Sequence, residues 1–117
     1  MNQNLLMKYE YFDSIDLINI EFEEEYDYRD TIELEYGVNL DFDKKHLPVN
    51  LEIDSASKYL DIDKEFLKKP RVRVEINIDR NIEVEIIFIF KNNEKRTITY
   101  DITPDLYIHP SQNLFVY

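Results

Sequence analysis

Five carboxylates have the spacing that invites a chemical reading: Asp13, Asp16, Asp41, Asp43 and Glu52. Asp41 and Asp43 stand two residues apart in an alternating stretch, so on a strand they share one face, opposite Val38, Leu40 and Phe42. Asp16 and Glu52 neighbour them if their strands join the same sheet. Carboxylates gathered in this way could bind Ca²⁺ or Mg²⁺, or work as an acid–base pair in which like charge raises one pKa. The same alternation also describes an ordinary polar sheet face with Asp43 capping a turn, and that is its commoner meaning. No EF-hand is present, because the spacing lacks that loop's glycine and terminal glutamate. His46 and His109 stand far apart with no ligand type beside either, and Ser55, Ser57 and Ser111 have no nucleophile elbow around them. The expectation is a protein that is not an enzyme and holds no metal or cofactor. An enzyme or metal-binding protein using the Asp41/Asp43/Glu52 face is one alternative.

The other chemistry on offer is electrostatic. The chain of 117 residues carries 14 Lys and Arg against 25 Asp and Glu, a net of -11. The imbalance is local: up to Asp43 there are 13 acids against Lys8 and Arg29, whereas from Lys44 onward 12 acids meet 12 bases. The densest run spans residues 21–30. Such a block is usually a solvated loop. As a patch for a basic partner, it would use Glu23, Glu24, Glu25, Asp27 and Asp30 for attraction and Phe22, Tyr26 and Tyr28 as anchors. This balance argues against gripping nucleic acid or an anionic membrane directly. Arg71, Arg73, Arg80, Lys91, Lys95 and Arg96 make the second half mildly basic; they could form a weak nucleic-acid patch, but pairing of the two strand arginines with Glu83 and Glu85 is the commoner meaning.

Absences narrow the field further. With no cysteine, disulfides, thiolate catalysis and Cys-based zinc sites are excluded, and a reducing cytoplasm is the expected location. The only glycine is Gly37, so there is no P-loop and no dinucleotide fingerprint. No apolar run is long enough to span a bilayer, and the first residues do not read as a secretory signal.

The elements that must position these residues follow from period-two patterning. Ile18, Ile20 and Phe22 form one apolar face; Ile32, Leu34 and Tyr36 a second; Val38, Leu40 and Phe42 a third; Val49, Leu51 and Ile53 a fourth. Gly37 marks a tight turn, and Pro48 opens a strand, where a missing N–H does little harm. The expectation is an antiparallel β-meander over residues 16–53, then two short helices within 55–69 with Ser55 and Asp63 as N-caps and Pro70 as the stop. A second antiparallel meander is expected over 72–102, from Val72, Val74, Ile76 and Ile78 followed by Ile82, Val84, Ile86, Phe88 and Phe90. The apolar tail should dock on the core, add an edge strand or meet a neighbouring chain. The fold class is mainly β, all-β with two short helices, in a single domain over 1–117. Ile87 and Ile89, apolar on the opposite face of their strand, together with Leu114, Phe115 and Tyr117, predict self-association as a homodimer.

Residues 8–60 resemble a known family. Gly37-Val38-Asn39-Leu40-Asp41-Phe42-Asp43, a four-residue turn, Pro48-Val49-Asn50-Leu51-Glu52-Ile53 and then Ala56-Ser57-Lys58 look like domain-of-unknown-function family 2283, as does the opening Tyr11 to Ile20 stretch. The chain departs from that family at Asn50 and in the turn holding His46, where the family has glycine, and at Asn19, where it has a strand tyrosine. The acidic 23–30 loop is long for the family, and nothing from residue 70 onward is similar to it. The resemblance implies a small β-meander with a short helix, and the family has no established catalytic residues to carry over. It also implies a neighbourhood of small toxin genes, often ribonuclease-like. Combined with the charge, this gives the leading expectation: a non-enzymatic acidic protein-binding module, an antitoxin-like neutraliser of a small basic toxin. The alternative is an acidic nucleic-acid mimic that inhibits a defence or nucleic-acid-binding complex.

Overall fold

The computed structural model describes residues 4–5, 7–22, 25–103 and 112–116, with side chains for 7–22 and 25–103. The chain runs β1 (Asn4–Leu5), β2 (Lys8–Phe12), β3 (Leu17–Glu21), β4 (Tyr28–Glu35), β5 (Val38–Asp43), β6 (Pro48–Ile53), α1 (Ala56–Tyr59), a 3₁₀ turn (Lys64–Leu67), β7 (Arg71–Ile78), β8 (Ile82–Ile89), β9 (Lys95–Ile102) and β10 (Gln112–Val116). These strands make two five-stranded sheets, ordered β2-β3-β6-β5-β4 and β1-β10-β7-β8-β9. Alternation builds both. In β5 every second residue is buried, and β7 and β8 repeat the pattern. The inward faces of the two sheets meet in one core, with Ile18, Ile20, Leu40, Phe42 and Leu51 from one and Ile76, Ile78, Ile86 and Phe88 from the other, all fully buried. The fold is thus mainly β with two short helical turns, as the patterning predicts.

Strand order corrects part of the expectation for residues 16–53. β4, β5 and β6 do run as a meander, but β3 pairs with β2 and β6, not with β4. The chain therefore crosses one end of the sheet between β3 and β4, giving the Greek-key order. Residues 22–27 separate β3 from β4, more than the roughly two to five of a usual hairpin loop, and β3 lies against β6. The Phe22 N–H extends that pairing to the Val49 carbonyl at 2.9 Å.

Two local expectations also change. Tyr36 does not continue the inward face of β4. The strand ends at Glu35, Tyr36 and Gly37 form the turn, and Tyr36 is 92% exposed. Gly37 sits there at φ 84, in the left-handed region. Ser55 makes no side-chain cap; it too is left-handed, at φ 49. The cap comes from another loop: Asp16 accepts the Ser57 backbone N–H at 3.0 Å and the Ser57 hydroxyl at 2.7 Å, and its own carbonyl takes the Ala56 N–H at 2.9 Å. Asp63 likewise makes no side-chain cap.

In the second sheet β7, β8 and β9 are consecutive neighbours, and β10 adds antiparallel to β7, with β1 parallel to β10. Of the alternatives for the tail, residues 112–116 do add a strand, but between β1 and β7 rather than at the edge of the sheet. Arg71 and Arg73 face Ile89 and Ile87 across the ladder rather than Glu83 and Glu85, which face Asn77, Asp101, Glu75 and Thr99. Arg73 meets Glu75 on its own strand at 3.8 Å.

Candidate protein-interaction surface

The outward face of the first sheet is an ordered acidic lattice. Register places Glu10, Asn19, Glu52, Asn39 and Glu33 in one row across β2, β3, β6, β5 and β4. The next row reads Lys8, Glu21, Asn50, Asp41 and Thr31. An asparagine separates each acid from the next in its row, so no two carboxylates oppose each other directly, an arrangement that would be destabilising. With strands about 4.8 Å apart, successive acids in a row stand about 10 Å apart. Hydrogen bonds hold the heads: Asn19 Nδ2 donates to Glu21 Oε1 at 3.4 Å, Asn50 Nδ2 to Asp41 Oδ2 at 3.4 Å, and Thr31 Oγ1 to Asp41 Oδ1 at 2.6 Å. Asn50 is 4% exposed, and its Oδ1 has no hydrogen-bond partner among the described residues. Tyr26 stands close to this patch. Burial raises its pKa, and the charges of Asp41, Glu21 and Glu52 raise it further. Glu52 is also pushed up, first by burial and then by Asp41 and Asp54.

The sequence candidates divide among several roles. Asp41 and Glu52 share the lattice, as their parity predicts. Asp43 caps the β5–β6 turn, accepting the N–H groups of Lys45 at 2.8 Å and Leu47 at 3.0 Å. Asp16 is a clamp at the β2–β3 turn and does not join that face, and Asp13 lies exposed in the same turn. In the acidic run Glu25, Tyr26, Asp27 and Tyr28 are exposed and Asp30 is half-buried beside Arg29 at 3.8 Å. Glu23 and Glu24 lie outside the described residues. Phe22 is corrected: at 3% exposure it belongs to the core, sharing the parity of Ile18 and Ile20, and is not a surface anchor. Ile87 and Ile89 are half-buried on the outer face of the second sheet, between Arg73 and Thr97 and between Arg71 and Lys95. The aliphatic stems of those basic residues can cover them. Leu114 and Phe115 lie in β10, while Tyr117 is outside the described residues.

Sequence reading missed the residues at one end of the lattice. Ile15, Glu33, Tyr36 and Asp54 converge there around a cleft. The available signal was an aromatic placed immediately before the chain's sole glycine, where a turn would expel it from the core. Among the described residues no three Asp, Glu or His side chains converge closely enough to enclose a metal ion, and no helix is long and apolar enough to cross a membrane. The chain matches no protein-family model, no curated protein and no solved structure.

Proposed function

We propose that the chain is a non-enzymatic acidic module that docks a basic protein, in the manner of an antitoxin neutralising a small ribonuclease-type toxin in the cytoplasm. The observation that carries this reading is the lattice: carboxylates spaced regularly over five hydrogen-bonded strands, with Lys8 and Arg29 the only Lys or Arg residues up to Asp43 and Lys44 and Lys45 confined to the β5–β6 turn. A ribonuclease must attract a polyanion, so its working surface is basic. An ordered array of opposite charge accelerates encounter and fixes orientation. The resemblance to family 2283 points the same way.

A second reading is favoured by the regularity of the rows. Carboxylates held on a ladder, rather than on a loop alone, suit a mimic of nucleic acid aimed at a larger complex. One experiment separates the two. The immobilised chain and its Glu10→Gln/Glu21→Gln/Glu52→Gln variant are exposed to host lysate at low salt, then washed at about 0.5 M salt, where the Debye length is about 4 Å. A small basic nuclease held by the parent, weakened in the variant and released by salt supports the neutraliser. A large assembly displaced by added DNA supports the mimic. Retention of no protein in a salt-sensitive way overturns both.

A further inference from the structure

Three turns meet at one end of the acidic sheet, and they are tied together. The Asp54 N–H donates to the Gly37 carbonyl at 2.8 Å, joining the β4–β5 turn to the end of β6. Asp16 joins the β2–β3 turn to the start of α1 through Ser57 and Ala56. Asp16, Gly37 and Ser55 all sit at positive φ, at 53, 84 and 49. Backbone held this way at non-glycine positions costs stability and persists only where the surroundings enforce it. These fastened turns present large apolar side chains to water: Tyr36 is 92% exposed and Ile15 64%. Between them lies an open cleft of about 410 Å³, lined by Ile15, Glu33, Tyr36, Asn39, Asp54 and Ser55. The carboxylates of Glu33 and Asp54 make no ion pair or side-chain hydrogen bond among the described residues. Lys58 lines the adjoining depression of about 290 Å³, together with Tyr36 and Tyr59.

The lining offers an aromatic face, an aliphatic side chain and two carboxylates. A group that satisfies all of these is flat, cationic, rich in donors and carried on an aliphatic stem. A guanidinium stacks on tyrosine, pairs with carboxylates through its fixed fork of N–H groups, and has a stem that can pack on isoleucine. We propose that this cleft seats an arginine side chain of the protein partner, its guanidinium on the Tyr36 ring between Glu33 and Asp54 and its stem along Ile15. This assignment rests on the basic-partner reading above and names where that partner anchors. The wider lattice then supplies attraction, and the cleft supplies register.

The test uses the full ¹⁵N-labelled chain at low salt and a short amidated peptide alternating arginine and leucine. The same peptide with citrulline for arginine keeps the shape and removes the charge. The expected result is amide shifts concentrated at Ile15, Tyr36, Gly37 and Asp54, absent with citrulline. Affinity should fall about tenfold in Tyr36→Ser and again in Glu33→Gln/Asp54→Asn, as befits the loss of a charge-assisted contact. Tyr36 is exposed enough that its replacement leaves the fold intact, which the unperturbed remainder of the spectrum verifies. If shifts centre instead on Asp41 and Glu52 and Tyr36→Ser binds like the parent, the cleft assignment is overturned while the acidic docking reading stands. If the arginine peptide shifts nothing, both fall.

Discussion

Asp16 is the residue whose chemistry is most fully committed to structure. Burial would raise its pKa, but hydrogen bonds from the Ser57 and Tyr11 hydroxyls and the Ser57 N–H, with the Lys64 charge, outweigh that and hold it below the usual value. A carboxylate whose folded pKa is depressed stabilises the fold above its unfolded value, about 3.9, and that contribution is lost as pH falls through the lower folded value. Asn tolerates positive φ but keeps only one of the two oxygens that accept from Tyr11 and Ser57, so Asp16→Asn removes the charge and one acceptor together, as protonation of Asp16 also does. It should cost about 1 kcal/mol in urea denaturation at neutral pH and nothing once the parent Asp16 is protonated. Glu52 has the opposite sign. Its pKa is raised by burial and by Asp41 and Asp54, so its folded state favours the neutral form. The corresponding stability is present below the unfolded value and lost as pH rises through the folded one. Glu52→Gln should therefore stabilise the fold at neutral pH by about 0.5 kcal/mol, with no gain in acid. A loss of stability at neutral pH would show that Glu52 makes a favourable contact outweighing the neighbouring acids.

Elements show why some positions were legible and others were not. Ile18, Leu40, Ile76 and Ile86 declare their strands because burial on a pleated sheet imposes a two-residue period on the sequence itself. Pairing choice leaves no such local mark. That β3 joins β6 depends on a strand that comes later in the chain, seen in the Ile20–Leu51 and Glu21–Asn50 partners. Ser55 does hold the N-cap position of α1, as the local pattern predicts, but the side-chain cap is supplied by Asp16, 41 residues before Ser57, which no local pattern shows. The acidic face followed from the parity of Asp41 and Glu52, while the cleft did not, because it is assembled from three separated turns. Gly37 was readable, and its role has a measurable cost. A Cβ there would sit 3.5 Å from the Asp54 Cβ, an ordinary contact, so the penalty of Gly37→Ala comes from φ 84 rather than from collision. It should be about 1 kcal/mol by denaturant unfolding. A neutral result would mean that the turn relaxes to negative φ. In that case Tyr36 should move with it, and arginine-peptide binding should weaken in parallel.

Across the whole molecule the charge is one-sided, and two opposing effects of salt follow. Screening removes like-charge repulsion in a chain of net charge -11, which stabilises the compact state. Screening also weakens ion pairs, but the four described pairs, Lys8–Glu10, Arg29–Asp30, Arg73–Glu75 and Arg96–Glu94, are all solvent-accessible. Pairs of that kind contribute about 0–1 kcal/mol each and often nothing measurable. Raising ionic strength from about 0.01 M to about 0.15 M shortens the Debye length from about 30 Å to about 8 Å, below the spacing of acids within a lattice row. Repulsion across the face is then largely screened, so the stabilising effect should win and Tm should rise. A rise of about 4 °C would correspond to about 1 kcal/mol for a domain of this size. Glu10→Gln/Glu21→Gln/Glu52→Gln should start from a higher Tm at low salt and respond less steeply, because the variant has already lost part of the repulsion. A parent Tm that falls with salt would place the dominant electrostatic term in attractive pairs instead. That outcome would also remove the physical reason for reading the lattice as a surface that gains by meeting positive charge.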